Sequence, residues 1–177
     1  MRYRRTAVDN GSYFFTVNLA KCKHTLLVDE IDVLRDVMNK VKKRHPFNLD
    51  AMVVLPDHLH AIWTLPLNDK DYPTRWMLIK SAFSRQMMKG ERRNASKMKI
   101  GERGIWQRRY WEHLIRDDRD YEEHVNYIHY NPVKHGYVKN AVDWEYSSIH
   151  QYINKGVIHR DWGYREENID ICGFGER

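Results

Sequence analysis

The order of apolar and polar positions predicts a chain that alternates between strands and helices. Runs rich in β-branched and aromatic residues predict strands over residues 13–19, 48–55 and 58–65, and the tight turn Leu55-Pro56-Asp57 joins the last two. A further strand-like segment with three large rings extends over residues 105–115. Four strands are therefore expected.

Apolar residues spaced three and four apart predict three helices. Residues 29–44 carry such a stripe, with acidic residues in the first turn and basic residues in the last, as the helix dipole favours. A second stripe covers residues 74–88, and its other side is expected to carry Arg75, Lys80, Ser84 and Arg85. These residues either follow a phosphate backbone, which is the interpretation we favour, or form a solvated face. A third helix starts after Asp118, and Pro132 together with Gly136 is expected to end it.

Length and composition suit one well-packed domain. With 177 residues, 42% of them hydrophobic, we place that domain at residues 1–165, with a basic loop at about 89–104 and a tail at 166–177. No apolar run approaches the roughly 18 residues of a membrane span, and the N-terminus leads into no signal core. The two distant cysteines, Cys22 and Cys172, fit free thiols in a reducing compartment. We therefore expect a cytoplasmic protein that does not enter a membrane.

The charge balance changes this picture by indicating a partner. The net charge is +6, the pI is near 9.3, and the chain has six tryptophans and eleven tyrosines. Cations release the counterions of a phosphate backbone, and flat rings stack on unpaired bases. Nucleic acid is the partner that this composition favours; the alternative is a mildly basic protein whose rings fill its core.

Two histidines at the start of the third strand are candidates for chemistry. Positions two apart on a strand point to the same face, so the imidazoles of His58 and His60 project together. Such a pair can hold one metal ion. The alternative is that both are ordinary hydrogen-bonded histidines, and the pair needs a third element before it indicates an enzyme.

The third predicted helix supplies that element. Residues four apart share a helix face, so Tyr127 and Asn131 project together, with His124 on the same side. A tyrosine can attack a phosphodiester whose oxygens are held by a divalent cation. The alternative is a core tyrosine followed by an asparagine that caps the helix.

Several motifs together resemble the single-tyrosine HUH transposases, and most closely the REP-associated tyrosine transposases of bacteria. The first is His58-Leu59-His60, preceded by Val-Leu-Pro-Asp. The second is the helix that carries Tyr127, with the run Tyr-Ile-His-Tyr-Asn-Pro-Val-Lys-His-Gly-Tyr-Val. Two further blocks, at residues 106–113 and 144–148, also look like that subgroup, so the resemblance extends over about residues 3–162.

The resemblance implies a fold and a reaction. The fold is an α+β, ferredoxin-like antiparallel sheet with helices packed on one face, of the HUH endonuclease type. The reaction is metal-dependent cleavage and rejoining of single-stranded DNA through a 5′-phosphotyrosine, without water or ATP. Tyr127 matches the nucleophile, and His58, His60 and Asn131 match the ligands of Mg²⁺ or Mn²⁺, although imidazoles also accept zinc, nickel or copper.

The resemblance also implies a DNA partner, namely single-stranded DNA with a REP hairpin, bound by a monomer, with a homodimer left open. Residues that flank the proposed site are the candidate DNA contacts. They are Arg4, Arg5, Arg109, Trp111, His113, Lys134 and His135. Trp111 is a candidate for base stacking, although a tryptophan on a strand commonly belongs to the core.

Three other functions are consistent with parts of the sequence. A non-catalytic protein that binds single-stranded or hairpin DNA would need the basic, aromatic surface but not the four proposed catalytic and metal residues as a set. A histidine-triad nucleotide hydrolase would need a third histidine where this chain has Ile62. A zinc hydrolase would need a carboxylate base and a third strong ligand, for which Asp57 and His124 are less coherent candidates.

Overall fold

The computed structural model of the protein describes residues 11–20, 25–88 and 103–163. The strands are β1 (Ser12–Asn18), β2 (Asn48–Val54), β3 (His58–Thr64) and β4 (Trp111–Leu114). The helices are α1 (Leu26–Asp29), α2 (Ile31–Arg44), α3 (Tyr72–Gln86), α4 (Asp118–Lys134) and α5 (Ile149–Asn154), with a 3₁₀ turn at Ala141–Asp143. Most of the predicted basic loop and the whole predicted tail lie outside the described residues. Within the described part, no helix is both long and apolar enough to cross a membrane.

The four strands form one antiparallel sheet in the order β2-β3-β1-β4. In the central pair, Phe14 lies opposite Ile62 and Thr16 lies opposite His60. This register places even-numbered residues of both strands on one face and odd-numbered residues on the other, because side chains alternate along a strand. The predicted antiparallel α+β sheet is confirmed.

One face of the sheet is covered by α2 and α3. The largest rings of this core are Trp63 on β3 and Trp76 on α3, which stack with centroids 4.1 Å apart and planes 16° apart. Both are fully buried, together with the apolar stripe of α2. The predicted stripes of both helices are therefore their packing faces.

The opposite face is covered by α4, whose Val125, Tyr127 and Ile128 pack on Phe14 and Ile62. The expectation that helices pack on one face thus holds for α2 and α3, whereas α4 lies on the other. Phe14 and Ile62 are fully buried. Since β1 and β3 carry apolar side chains on both faces, each face needs its own helical cover.

Two predicted boundaries differ from the observed elements. Helix α4 continues through Pro132 to Lys134, because the missing amide of a proline in the last turn removes only one hydrogen bond. The strand predicted over residues 105–115 is interrupted: Trp106 bridges Leu19, and regular pairing resumes only at β4. Between them Tyr110 leaves the ladder and packs towards α3, with its ring centroid 6.1 Å from that of Trp76.

Arg75 is buried, which contradicts its predicted place on a DNA-facing surface. It is 2% exposed, and its guanidinium holds both carboxylate oxygens of Asp69 at 2.6 and 3.1 Å. It also donates to the carbonyls of His45, Pro46 and Asp71. These five hydrogen bonds use all five N–H donors of the guanidinium, so Arg75 ties the start of α3 to the end of α2.

We expect Arg75→Ala to lower the free energy of unfolding by about 3–5 kcal/mol, because it leaves a carboxylate and three carbonyls without their shared donor. Urea denaturation measures the change. Arg85→Ala is the matched control: Arg85 is exposed on the same helix and donates to the Ser81 hydroxyl, so its loss should cost within about 0.5 kcal/mol. Equal effects for the two variants would contradict the assigned role of Arg75.

His129 on α4 is buried against the C-terminal segment. Its Nε2 lies within hydrogen-bond distance of Ser148 Oγ, at 2.9 Å, and that hydroxyl oxygen also accepts from the Met52 amide. Burial, and then the charge of His150, lower the pKa of His129 to about 3. The folded protein therefore keeps this imidazole neutral where an unfolded chain would protonate it.

The lowered pKa of His129 makes the free energy of unfolding depend on pH. Below the unfolded pKa of about 6.5 the unfolded chain takes up a proton that the folded chain refuses, so stability falls as pH falls, by up to about 1.4 kcal/mol per unit and about 5 kcal/mol by pH 3. We expect His129→Gln to flatten this slope in denaturant titrations between pH 7 and 4. His159→Gln, at a side chain that is 83% exposed, should leave the slope unchanged. A His129→Gln slope equal to that of the wild type would overturn the assignment.

Candidate active site

His58 and His60 open β3 on the face that α4 covers. Their ring centroids are 5.0 Å apart and their planes meet at 83°. Each ring is oriented through Nδ1: His58 Nδ1 lies 2.7 Å from Asp57 Oδ1, and His60 Nδ1 lies 2.9 Å from Thr16 Oγ1. His60 is fully buried and His58 nearly so. Nδ1 is engaged in both rings, so Nε2 is the nitrogen with which each would bind a cation.

This arrangement fits a divalent metal. Metal-binding histidines commonly hold their second nitrogen in a hydrogen bond to a carboxylate, hydroxyl or carbonyl, which fixes ring orientation and tautomer. Asp57 and Thr16 make those bonds here. Two imidazoles from adjacent same-face positions offer a pair of nitrogen donors that suits several divalent ions.

Helix α4 carries Tyr127 to these histidines. The helix is fixed at its N-terminus by Asp117, whose carboxylate accepts from the amide of Asp120. Tyr127 is 1% exposed, and its ring stands edge-on to that of His60, with centroids 5.2 Å apart. It also meets Phe14 edge-on at 5.9 Å. A phenol and the histidine pair therefore share one buried space.

The last turns of α4 continue the same stripe. Asn131, one turn after Tyr127, is fully buried. The Lys134 ammonium lies 4.9 Å from the centroid of the Tyr127 ring, and the His135 ring lies 5.3 Å from that of His58. Tyr127, four residues before Asn131, and Lys134 and His135, three and four residues after it, contact the histidine pair or each other, so helical geometry directs Asn131 towards the same place. Of the predicted residues, His58, His60, Tyr127, Lys134 and His135 are brought together by direct contacts.

The other predicted DNA contacts lie around this centre. Trp111 and His113 are half-buried on β4 and stack with planes 5° apart and centroids 5.8 Å apart. Arg109 is exposed just before β4, at the end of the sheet where Asn18 pairs with His58. Arg4 and Arg5 lie outside the described residues.

A second group links β4 to α4. The His113 ring stacks on that of His124 at 4.7 Å, and His113 Nε2 lies 2.8 Å from Asp120 Oδ2. Burial alone would raise the pKa of Asp120, but hydrogen bonds from His113 and from the amide and side chain of Arg116 lower it to about 2. Ligand atoms of the two histidines and Asp120 lie within 4.8 Å of one another, close enough for one cation. Since Arg116 already neutralises the carboxylate, we assign this group the structural role of holding α4 against β4.

Sequence reasoning missed three residues of this region. Thr16 orients His60, Asp120 anchors α4, and Phe14 contacts His60, His124 and Tyr127, with centroids 4.7–5.9 Å apart. The alternation of β1 places Phe14 and Thr16 on one face, which was a usable signal. Which strand lies beside them depends on sheet order, which the alternation does not contain.

Comparison with known proteins gives a family match, two similar relatives and a similar solved structure. Residues 9–131 match the family described as IS200-like transposases. A REP-associated tyrosine transposase of Haemophilus influenzae is 44% identical over 162 residues, covering 91% of this chain and 92% of the relative. One from Escherichia coli K12 is 43% identical over 160 residues, covering 90% and 89%. The solved structure of a REP-associated tyrosine transposase bound to a REP hairpin has a TM-score of 0.82 and 41% identity, covering 100% of this chain and 98% of that one.

Proposed function

Because this chain belongs to the REP-associated tyrosine transposases of the IS200-like family, a group of HUH single-strand DNA nucleases, we propose that it cleaves and rejoins DNA beside a REP-type hairpin through Tyr127. The observation that carries the proposal is the edge-on contact between Tyr127 and His60, at 5.2 Å, next to the paired His58 ring. A nucleophile and two metal-binding side chains from separate elements meet there. Neither a packing role nor a capping role requires that meeting.

Tyr127 acts as the nucleophile. Its phenolic oxygen releases its proton to solvent and attacks the phosphorus, the bond from phosphorus to the 3′-oxygen breaks, and that oxygen takes up a proton from solvent, so no net proton is consumed. The products are a 5′-phosphotyrosine and a 3′-hydroxyl. A returning 3′-hydroxyl reverses the step by the same exchange. One phosphodiester replaces another, so neither water nor ATP is consumed.

His58, His60 and Asn131 are the residues that would hold the divalent ion, Mg²⁺ or Mn²⁺. When bound, the ion supplies Lewis-acid polarisation of the scissile phosphate. The chain's own contribution is orientation. Asp57 and Thr16 fix the two rings, and the buried position of Asn131 on α4 gives its amide little freedom to turn away.

Lys134 is suited to act on both the nucleophile and the substrate. Its ammonium lies 4.9 Å from the Tyr127 ring centroid, while Lys134 itself is exposed. A cation in this position attracts the phosphate towards the phenol. The Lys134 side chain is flexible and can move when DNA enters. A buried phenol needs such a movement before a phosphate can reach it.

The DNA-contacting surface surrounds this centre. His135 is exposed beside His58, Arg109 is exposed at the same end of the sheet, and Trp111 and His113 present a half-buried stack on β4. We assign His135, Arg109 and Trp111, with Arg4 and Arg5 of the N-terminal segment, to phosphate and base contacts, while His113 keeps its structural contact with Asp120 and supports the Trp111 ring. The hairpin substrate is supported by the relative whose structure contains one. Tyr127 contacts His60 of its own chain, so one chain can supply both the nucleophile and the histidine pair, which supports action as a monomer.

The test is a covalent-adduct assay. The purified protein is incubated with single-stranded oligonucleotides that carry a REP-type hairpin, labelled at either end, with Mg²⁺ or Mn²⁺. We expect a denaturing gel to show a labelled protein band only for the fragment 3′ to the cut, since that fragment keeps the 5′-phosphate. Mass spectrometry should place the nucleotide on Tyr127. Hairpin binding without cleavage of any strand would support the alternative, a non-catalytic hairpin-binding protein.

A further inference from the structure

Tyr137 stands out among the aromatic residues. It is the one phenylalanine, tyrosine or tryptophan in the described part of the chain that is exposed rather than partly or fully buried, at 44%. An exposed aromatic ring costs solvation free energy unless it contacts something else. Its surroundings indicate what that contact is.

The backbone fixes Tyr137 at the end of α4 by a Schellman turn. The amide of Tyr137 bonds the carbonyl of Pro132 at 2.9 Å, and the amide of Gly136 bonds that of Val133 at 2.9 Å. Gly136 has φ +74°, a conformation that other residues adopt only with strain. The turn therefore holds the ring in a defined place instead of on a mobile loop.

Other rings support Tyr137 and connect it to the candidate active site. Its centroid lies 5.3 Å from that of Trp144, with planes 30° apart, and the Trp144 indole is anchored to the Val54 carbonyl at 2.9 Å. It lies 6.0 Å from the His135 ring, which in turn lies 5.3 Å from His58. Burial and the nearby Asp57 carboxylate raise the pKa of Tyr137, so the ring remains neutral beside a phosphate.

We propose that Tyr137, supported by Trp144, is a stacking platform for an unpaired base that adjoins the scissile phosphate. The charge around it suits DNA, because Lys134, His135 and Lys139 are exposed on the same turn. Every base has a π-face, so such a platform positions a strand without reading its sequence. This inference rests on the proposed function and adds a substrate-positioning residue to it.

The platform also selects single-stranded DNA. In a duplex both faces of an interior base are covered by its neighbours, so only an unpaired base can place a face on Tyr137 without paying for unstacking. The affinity of the protein for a given strand should therefore depend on Tyr137 when the strand is single, and should no longer depend on Tyr137 when the strand is annealed to its complement.

The experiment places 2-aminopurine at successive positions on each side of the cleavage site and measures its fluorescence on binding. We expect the wild-type protein to quench one position strongly, Tyr137→Phe to retain that quenching, and Tyr137→Leu to lose it with roughly fivefold to hundredfold weaker strand binding. Leu67→Ala is the control, because Leu67 is 73% exposed beyond the opposite end of β3 from His58. An abasic nucleotide at the quenched position should weaken wild-type binding and leave Tyr137→Leu unaffected.

The outcomes separate this inference from the proposed function. Quenching reports the stack and does not require cleavage, whereas the Tyr127 adduct reports the chemistry. If the wild-type protein forms the adduct, and Tyr137→Leu still binds the strand and quenches 2-aminopurine normally, the platform is overturned and the cleavage reaction stands. Quenching that depends on Tyr137 without any adduct supports the platform and overturns the cleavage reaction. Equal loss in Tyr137→Leu and Tyr137→Phe, with both folded by circular dichroism, also overturns stacking, because Phe keeps the ring.

Discussion

Replacement of Tyr127 by phenylalanine is expected to abolish both DNA cleavage and the covalent adduct, with a rate loss on the order of 10⁴-fold or more. The change removes one oxygen and keeps the ring. The edge-on contacts with His60 and Phe14 therefore remain, and the free energy of unfolding should change by about 1 kcal/mol at most. Hairpin affinity, measured by fluorescence anisotropy, should stay within about threefold of the wild type, since hydrogen bonds to phosphate from other residues are unaltered.

Tyr130→Phe is the matched control for this prediction. Tyr130 lies three residues later on α4 and packs against the apolar group that includes Val138 and Trp162, on another side of the helix. The same oxygen is deleted from the same helix, so any general effect of losing a phenol would appear in both variants. Normal cleavage by Tyr127→Phe, with the adduct mapped to another residue, would show that the nucleophile has been misassigned.

Loss of either histidine proposed to bind the metal is the second large effect. We expect His58→Ala to reduce cleavage by at least about 10³-fold and to remove most Mn²⁺ binding, and EDTA should have the same effect on the wild type. Calorimetric titration with Mn²⁺ and the adduct assay measure the two properties separately. A folded His58→Ala protein that cleaves at the wild-type rate in EDTA would refute the metal site.

Thr16→Val tests the same site more finely. It keeps the His60 ring and removes only the hydroxyl 2.9 Å from Nδ1, so metal affinity should fall by about 10–100-fold and activity should return at high Mn²⁺. Thr64→Val makes the same change at the far end of β3, where the hydroxyl bonds Asp50 at 2.6 Å. It should lower stability and leave metal affinity unchanged. Equal metal affinities for the two variants would mean that Thr16 does not orient a ligand.

Much of the candidate site could be predicted because its residues are close in sequence. His58 and His60 share a face by strand alternation, and Tyr127 and Asn131 share a face by helical periodicity. Local patterns of this kind do not depend on the rest of the chain. The contact between the two pairs does depend on it, because Tyr127 and His60 are 67 positions apart and meet only through the packing of α4 on β3.

Arg75 shows where local patterns fail. Helical spacing puts it on the packing side of α3, three residues after Tyr72 and four before Ile79, but a charged residue is normally exposed. It is buried because Asp69 and the carbonyls of His45 and Pro46 close around it, and those partners come from the preceding turn and from the end of α2. The pattern of a single helix contains no information on such partners.

The sequence by itself determined strands β1 to β3, the three long helices, the basic aromatic character and the motifs of the family, because these depend on local spacing and composition. Only the tertiary structure decided that α4 covers the face opposite α2 and α3, that Thr16 and Asp57 orient the histidines, and that Tyr137 is held exposed beside Trp144. The physical reason is that strand order and helix packing are settled by burial of the whole chain. A side chain's partners follow from that burial, while its direction follows from local periodicity.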